Sequence, residues 1–202
     1  MKFDLYNASL AVVAFVSLIR FTWIIVGKFR QFGYRKRAIS LPGSWADVCT
    51  VPEPFVMALL TWMLWSGRAV PPQPSPADLA TVLAGAGLAF VGLALSLWSF
   101  LSFPTVSTGH YVLPDQHIVT RGAYGVVRHP IYLAVFLIWA SIVLTFHSAL
   151  ALAVLVFYVV PAYLVYIRSE EEMLVRSLGE EYRRYRDDVG GLLPRRRKRH
   201  SV

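Results

Sequence analysis

The chain has 202 residues, of which 56% are hydrophobic and only 16% are charged, and its formal net charge is +8. With a mean hydropathy of +0.51, this composition excludes an ordinary soluble domain of this size. It predicts an all-α integral membrane protein that crosses the bilayer several times. The single cysteine, Cys49, excludes an internal disulfide and a cysteine-built metal site, so no metal is expected.

The first apolar segment, residues 5–26, is long enough to span the hydrocarbon core, and basic residues follow it instead of a small-residue cleavage site. It is predicted to be a retained membrane helix, with Arg20 near enough to its end for the guanidinium to reach the interface. The basic residues within 28–37 place the next connection in the cytoplasm. Membrane anchoring explains this cluster better than nucleic-acid binding, so no nucleic-acid partner is expected.

Two more apolar segments follow, at residues 51–65 and 79–100. Glu53 is expected at the entrance of the first, and prolines within residues 71–76 predict a stiff, extended linker between them. The second segment is predicted to be the third span. Its glycines indicate close helix packing and not a dinucleotide loop, because no strand precedes them. These glycines are Gly85, Gly87 and Gly92.

A polar loop leads into the next hydrophobic helix within residues 118–132. Pro130 stands at the predicted first helical position, where a missing N–H has no cost, so the N-terminal amides and the positive end of the helix dipole face the loop. Arg128 and His129 stand at this boundary. The arrangement predicts a mouth at the membrane surface that favours anions.

Residues 130–146 and 149–167 are predicted to be two spans joined by a tight turn, which gives an antiparallel helical hairpin with a kink at Pro161. Five spans would place the first basic connection, the loop and the C-terminus on one side, the cytoplasmic side. Residues 168–189 predict an amphipathic helix on that surface. The basic tail is expected to contact anionic membrane lipid.

Four motifs follow one another in the C-terminal half of the chain. They are Gly122-x-Tyr124, Arg128-His129-Pro130-x-Tyr132, Glu170-Glu171-x-x-Leu174 and Gly179-x-x-Tyr182-x-x-Tyr185. In this order they resemble the isoprenylcysteine carboxyl methyltransferase family and its relatives among the membrane phospholipid methyltransferases. The chain is accordingly divided into an N-terminal three-helix membrane region (1–100), a cofactor-binding core (101–194) and a basic tail (195–202).

The resemblance implies that S-adenosyl-L-methionine is the cofactor. The residues that it implies for binding are Gln116, His117, Ile118, Val119, Tyr124, His129, Pro130, Ile131, Tyr132 and Glu170. Their types suit the cofactor, because aromatic rings attract a sulfonium, a carboxylate attracts an ammonium, and a helix N-terminus attracts a carboxylate. Arg128, His129 and Glu170 are the predicted catalytic residues.

The chain departs from the family pattern at a position that bears on the methyl acceptor. Relatives that act on prenylcysteine carry an arginine four residues before the paired glutamates, where this chain has Tyr166. Arg168 is predicted to bind the substrate instead, although it lies about 200° further around the helix. The function predicted first is O-methylation of an isoprenylcysteine-type carboxylate on a lipophilic or prenylated acceptor from the membrane.

Three alternatives remain open at this point. The protein could N-methylate a phospholipid amine, or it could be an oxidoreductase similar to the membrane sterol reductases, with a nicotinamide cofactor. It could also be a non-catalytic membrane scaffold that keeps the same fold. No feature of the sequence specifies an oligomeric state.

Overall fold

A computed structural model describes residues 2–34, 39–40, 45–67, 75–103, 111–112 and 117–195. Within these ranges the α-helices are α1 (Lys2–Tyr34), α2 (Trp45–Thr50), α3 (Glu53–Gly67), α4 (Pro76–Ser102), α5 (Pro130–Phe146), α6 (Ala149–Val154), α7 (Val160–Leu178) and α8 (Glu180–Asp188). Two residues each of β1 (Ile39–Ser40) and β2 (Tyr111–Val112) form a short antiparallel pair. The prediction of an all-α membrane protein is confirmed.

Four helical segments of the described chain are long and apolar enough to cross a membrane. They are Leu5–Val26, Val48–Gly67, Pro76–Ser102 and Ala149–Leu178. The remaining predicted span is α5, which is apolar but has only 17 residues. At 1.5 Å per residue it measures about 25 Å, slightly less than the hydrocarbon thickness.

Helix α4 begins three residues earlier than the apolar pattern predicts. The side chain of Ser75 accepts a hydrogen bond from the Asp78 amide at 3.1 Å, and the Asp78 carboxylate accepts one from the Ser75 amide at 3.0 Å. This capping box satisfies amides at the helix N-terminus, and Pro76 occupies the position where no amide is needed. The predicted linker prolines 71, 72 and 74 lie outside the described residues.

Small residues bring α4 close to α5, its most extensive helix contact. A Cβ at Gly85 would lie 2.1 Å from Oγ1 of Thr145, and a Cβ at Gly92 would lie 2.7 Å from Cγ1 of Ile138. The predicted packing role is confirmed for these two glycines. It is wrong for Gly87, where a Cβ would meet no atom within 4 Å.

The predicted turn between α5 and α6 is present. His147 adopts a left-handed conformation (φ 48°) and the side chain of Ser148 caps α6 by accepting from the Ala151 amide at 3.1 Å. One π-helical turn, Leu155–Val159, joins α6 to α7 immediately before Pro161. The wider turn accommodates a residue that cannot donate a helical hydrogen bond, which explains how an apolar span tolerates this proline.

The structure corrects the positions expected for two charged side chains. Arg20 does not extend to the interface, because it is buried and its Nη2 lies 2.8 Å from Oε2 of Glu53. Glu53 is the first residue of α3, as predicted, but its side chain is completely buried inside the bundle. Sequence position placed both near helix ends, but the contact between α1 and α3 lets each charge neutralise the other inside the bundle.

The predicted amphipathic helix at residues 168–189 is two helices. Gly179 (φ 57°, ψ −126°) interrupts it, and α8 starts in a new direction. The apolar side is nevertheless the predicted one, because Tyr182, Tyr185 and Val189 form a buried cluster with Leu174 and Ile118. Helix α8 thus folds onto the loop that precedes α5 and does not simply extend α7.

Candidate cofactor site

The loop before α5 is fixed to the end of α4. Gly122 (φ 61°) lies so close to Ser102 that a Cβ there would be 2.1 Å from Oγ, and the Ala123 amide donates to that Oγ at 3.1 Å. A positive φ and this close approach both require glycine. The 3₁₀ turn Gly122–Gly125 follows and directs Tyr124 inward.

The chain after α8 returns to the same loop. The amides of Arg128 and His129 donate to the carbonyls of Gly190 and Gly191 at 2.8 and 3.1 Å, and Val127 forms a parallel bridge with Gly190. The Tyr185 hydroxyl donates to the Tyr124 carbonyl at 2.7 Å. These bonds hold the loop between α4 and the C-terminal segment.

Arg128 connects three parts of the site. Its Nη2 and Nε donate to Oε1 of Glu171 at 2.6 and 3.0 Å, and its Nη1 donates to the carbonyl of Arg186 at 2.9 Å and to that of Val189. A guanidinium suits this task because its planar fork presents several donors at fixed angles. Helices α7 and α8 are therefore both fastened to the start of α5.

His129 is buried between Glu170 and Glu171 of α7. Its Nε2 lies 2.9 Å from Oε1 of Glu171 and its Nδ1 lies 3.4 Å from Oε2 of Glu170. Burial by itself lowers the pKa of His129, but the hydrogen bonds and charges of both carboxylates outweigh it and raise the pKa above 6.5. The geometry favours the protonated ring.

Tyr132 extends the cluster toward the interior of the bundle. Its hydroxyl donates to Oε2 of Glu170 at 3.0 Å, and its ring stacks on His129 with centroids 5.5 Å apart. The rings of Tyr163 and Tyr166 each lie 5.5 Å from it. An aromatic wall thus continues from the polar cluster into the apolar core.

Two buried tyrosine hydroxyls beside this cluster have no hydrogen-bond partner in the described chain, those of Tyr124 and Tyr182. Burial and the charge of Glu170 raise the pKa of Tyr124. Burial, Glu171 and Glu170 raise that of Tyr182. Buried hydroxyls normally have a partner, so these two provide hydrogen-bonding capacity next to the carboxylates.

A cavity of about 440 Å³ opens between the loop and α8. Ile118 and Thr120 line it from the loop, and Glu180, Glu181 and Arg184 line it from α8. The cavity is of a size that small-molecule sites commonly have. One of the residues implied for cofactor binding, Ile118, therefore faces an opening next to α8.

The structure brings most of the residues implied by the resemblance to one place. Arg128, His129, Tyr132 and Glu170 are joined directly or through Glu171. Pro130 and Ile131 form the first turn of α5. In the loop, His117 is exposed and Ile118 and Val119 are half-buried. Gln116 lies outside the described residues.

Arg168 is exposed on α7, while Tyr166, two residues before it, is buried against Tyr132. Substrate binding by Arg168 stays a prediction. Sequence reasoning did not assign a site role to Glu171, although it accepts bonds from both Arg128 and His129. The sequence did contain a signal for Glu171, because the motif has two adjacent glutamates.

Tyr182 and Tyr185 also lie beside this cluster, and sequence reasoning treated them only as the apolar side of a surface helix. Both are buried, and their rings contact each other with centroids 5.9 Å apart. The motif that begins at Gly179 carried the relevant signal. The positions of these tyrosines could not be inferred from the motif alone, because they depend on the break at Gly179, which turns them toward the loop.

Two comparisons with known proteins cover this part of the chain. The model of a family described as phospholipid methyltransferase matches residues 80–181. This segment contains Arg128, His129, Tyr132, Glu170 and Glu171. Methanethiol S-methyltransferase 1 of Bradyrhizobium diazoefficiens is 30% identical over 162 residues, which is 71% of this chain and 53% of that protein. The chain spans about half the length of this curated relative. Since the matched segment is half of the chain and includes the cluster, the protein belongs to the phospholipid methyltransferase family.

Proposed function

We propose that the protein is a membrane methyltransferase that uses S-adenosylmethionine and methylates an apolar acceptor reaching the site from the bilayer. The observation that carries the proposal is the contact across the hairpin, where His129 and Tyr132 of α5 meet Glu170 and Glu171 of α7. Family membership supports the reaction type. The apolar helices around the cluster support the membrane setting.

The residues present fit the chemical groups of S-adenosylmethionine. Glu170 offers a carboxylate to a cationic ammonium, and the described contacts of this carboxylate both use Oε2. One face of Tyr132 is stacked on His129, so among these rings Tyr166 is the one that suits a sulfonium. The unpartnered hydroxyls of Tyr124 and Tyr182 can bond ribose hydroxyls or a carboxylate.

The bound cofactor would supply a methyl group on a positively charged sulfur, which is already activated for displacement. The residues of this chain therefore contribute mainly by positioning and by excluding water. His129 is a poor proton acceptor, because its two carboxylate neighbours favour the protonated ring. For an acceptor that has to lose a proton, Glu170 is the better-placed base.

An apolar thiol is our first candidate acceptor. The relative named above is a methanethiol S-methyltransferase by its printed description, and a thiol needs no guanidinium for recognition. Carboxylate methylation of an isoprenylcysteine has less support, because Tyr166 is buried at the position in question and Arg168 is exposed. A hydrocarbon chain on the acceptor would gain about 0.8 kcal/mol per buried CH₂ by remaining in the membrane.

Cofactor binding is tested by calorimetry on the detergent-solubilised protein with S-adenosylhomocysteine and, separately, with NADPH. The proposal expects binding of S-adenosylhomocysteine and none of NADPH. Glu170→Gln should weaken that binding, because the amide lacks the charge that attracts an ammonium. Binding of NADPH alone would favour the oxidoreductase alternative, and binding of neither would favour the scaffold.

The acceptor is tested by transfer of a radiolabelled methyl group in membranes that contain the protein. Alkanethiols of increasing length, a farnesylcysteine analogue and an aminophospholipid are compared side by side. The proposal expects label in the organic-extractable thioether, with a rate that increases with chain length. Label only in the farnesylcysteine ester, and its loss in Arg168→Ala, would instead establish the prenylcysteine activity predicted from the sequence resemblance.

A further inference from the structure

A second polar cluster lies within the membrane-spanning bundle. Nη2 of Arg20 in α1 donates to Oε2 of Glu53 in α3 at 2.8 Å. The Tyr163 hydroxyl in α7 donates to the same oxygen at 3.1 Å, and Nε1 of Trp139 in α5 donates to Oε1 at 2.6 Å. One carboxylate therefore connects four helices.

The burial of this cluster is unusual for charged groups. Only 8% of Arg20 and 0% of Glu53 is exposed. Charged residues inside a membrane bundle are costly, and well-packed apolar side chains can hold helices together equally well or better. Holding the helices together is therefore a weak explanation for an arginine and a glutamate at these positions.

A connection from this cluster to the candidate site runs through Tyr163. Its ring lies 5.5 Å from that of Tyr132, whose hydroxyl donates to Glu170. On its other side, Tyr163 contacts Phe136 edge to face at 5.8 Å. The hydroxyl of Tyr163 is anchored on Glu53 at 3.1 Å and lies 3.4 Å from Arg20. The anchored ring forms one wall of the space that Tyr132 occupies.

We propose that Arg20 and Glu53 are positioning residues for the cofactor site: they fix Tyr163, which holds Tyr132 and thereby the carboxylate of Glu170 in its binding position. The inference rests on the proposed function, since the position of Glu170 matters if that residue binds the cofactor. Arg20 and Glu53 both precede the matched segment 80–181. In this proposal α1 and α3 help to position the site residues in addition to anchoring the protein in the membrane.

The roles of the two charges differ. Glu53 is the acceptor that sets the hydroxyl of Tyr163, and Arg20 neutralises Glu53 so that the carboxylate is stable in the apolar interior. Neither touches the cofactor in this scheme. Removing only one of them would leave a buried charge without its partner and would strongly destabilise the bundle, so a single substitution at either position does not separate positioning from stability.

The test therefore uses Tyr163→Phe, which removes the anchoring hydroxyl and keeps the ring. Tyr158→Phe is the matched control, because the Tyr158 hydroxyl also joins two helical segments. It lies near Glu53, but it donates its hydrogen bond to the Cys49 carbonyl at 2.9 Å. Affinity for S-adenosylhomocysteine and the thermal midpoint are measured for each purified full-length variant. We expect Tyr163→Phe to bind about twofold to tenfold more weakly, the effect of one lost buried hydrogen bond, and Tyr158→Phe to bind like the unsubstituted protein. Both should have similar thermal midpoints.

A rescue experiment separates positioning from simple stabilisation. The double variant R20M/E53Q removes both charges but keeps an amide oxygen that can accept from Tyr163, whereas R20M/E53M removes the acceptor as well. Tighter binding by R20M/E53Q than by R20M/E53M supports the proposal. Equal affinities in these two variants, or a Tyr163→Phe protein that binds as tightly as the unsubstituted one, would overturn it. Failure of the unsubstituted protein to bind S-adenosylhomocysteine would instead contradict the proposed function on which the inference rests.

Discussion

At the scale of single residues, Glu170 and Glu171 of α7 are adjacent but have different surroundings. Glu171 accepts hydrogen bonds from Arg128 and His129, and so fastens α7 to the start of α5. Glu170 accepts a hydrogen bond from Tyr132, and its charge acts on the unpartnered hydroxyl of Tyr124. We therefore assign stability chiefly to Glu171 and cofactor contact to Glu170.

This division predicts different results for two matched substitutions. Glu171→Gln removes the charge that pairs with Arg128 and His129, so it should lower the free energy of unfolding by about 1.5–3 kcal/mol. Glu170→Gln removes one of the two charges beside His129 but keeps Arg128 paired with Glu171. It should therefore lower the thermal midpoint less than Glu171→Gln does, and it should weaken binding of S-adenosylhomocysteine. Thermal unfolding and calorimetry on both variants check this. A larger loss of stability in Glu170→Gln, together with weaker binding only in Glu171→Gln, would contradict this assignment.

The buried His129 predicts a pH dependence of stability. Its pKa is raised above 6.5 in the folded protein by Glu170 and Glu171, so folding favours the protonated ring. The stabilisation is complete at pH values below 6.5 and is lost as the pH rises through the raised folded pKa. The thermal midpoint of the unsubstituted protein should therefore decrease over that interval, and the decrease should be smaller in His129→Gln. Parallel pH profiles of the two proteins would show that another group is responsible.

At the scale of helices, the contact between α4 and α5 depends on two glycines with no room for a side chain. A Cβ at Gly85 would approach Thr145 Oγ1 to 2.1 Å and the Ser141 carbonyl to 3.0 Å, so the helices would have to separate. Pro130 and Tyr132 lie at the N-terminal end of α5, the helix that packs against these glycines. Close packing of these two helices consequently affects the geometry of the site.

Gly85→Ala and Gly87→Ala form a matched test of this contact. The first should destabilise the protein by about 1–3 kcal/mol through overpacking. In Gly87→Ala the added Cβ meets no atom within 4 Å. This substitution should be neutral or slightly stabilising, because alanine has a higher helix propensity than glycine. Thermal unfolding in one detergent measures both. Equal midpoints would mean that α4 and α5 can separate without cost.

At the scale of the whole molecule, the distribution of basic residues predicts that the C-terminal segment lies on the cytoplasmic side and the end of α3 on the other side. Single cysteines at Gly67 and Arg195, in a Cys49→Ala background, test this orientation. Both positions are exposed. A membrane-impermeant maleimide applied to intact cells should label only the cysteine at position 67. Labelling of both would contradict the predicted five-span topology.

The sequence by itself determined the class of the protein, its apolar segments and the order of its motifs. Composition and hydropathy are local properties, so they predicted α1, α3, α4 and the hairpin without any tertiary information. The turn at His147 and the packing role of Gly85 and Gly92 were equally readable, because turn chemistry and small residues at helix spacing act over a few residues.

Only the tertiary structure decided how charges and aromatic rings are paired. Arg20 lies 33 positions from Glu53, and Arg128 lies 43 positions from Glu171. Spacing within a helix carries no information about such contacts, since they depend on how separate helices cross. The break at Gly179 likewise changes the position of a predicted surface helix, because it lets α8 pack on the loop of the candidate site. Local patterns specify the helices, but the positions of polar groups inside the bundle follow from packing, because a buried charge is stable only where a distant partner meets it.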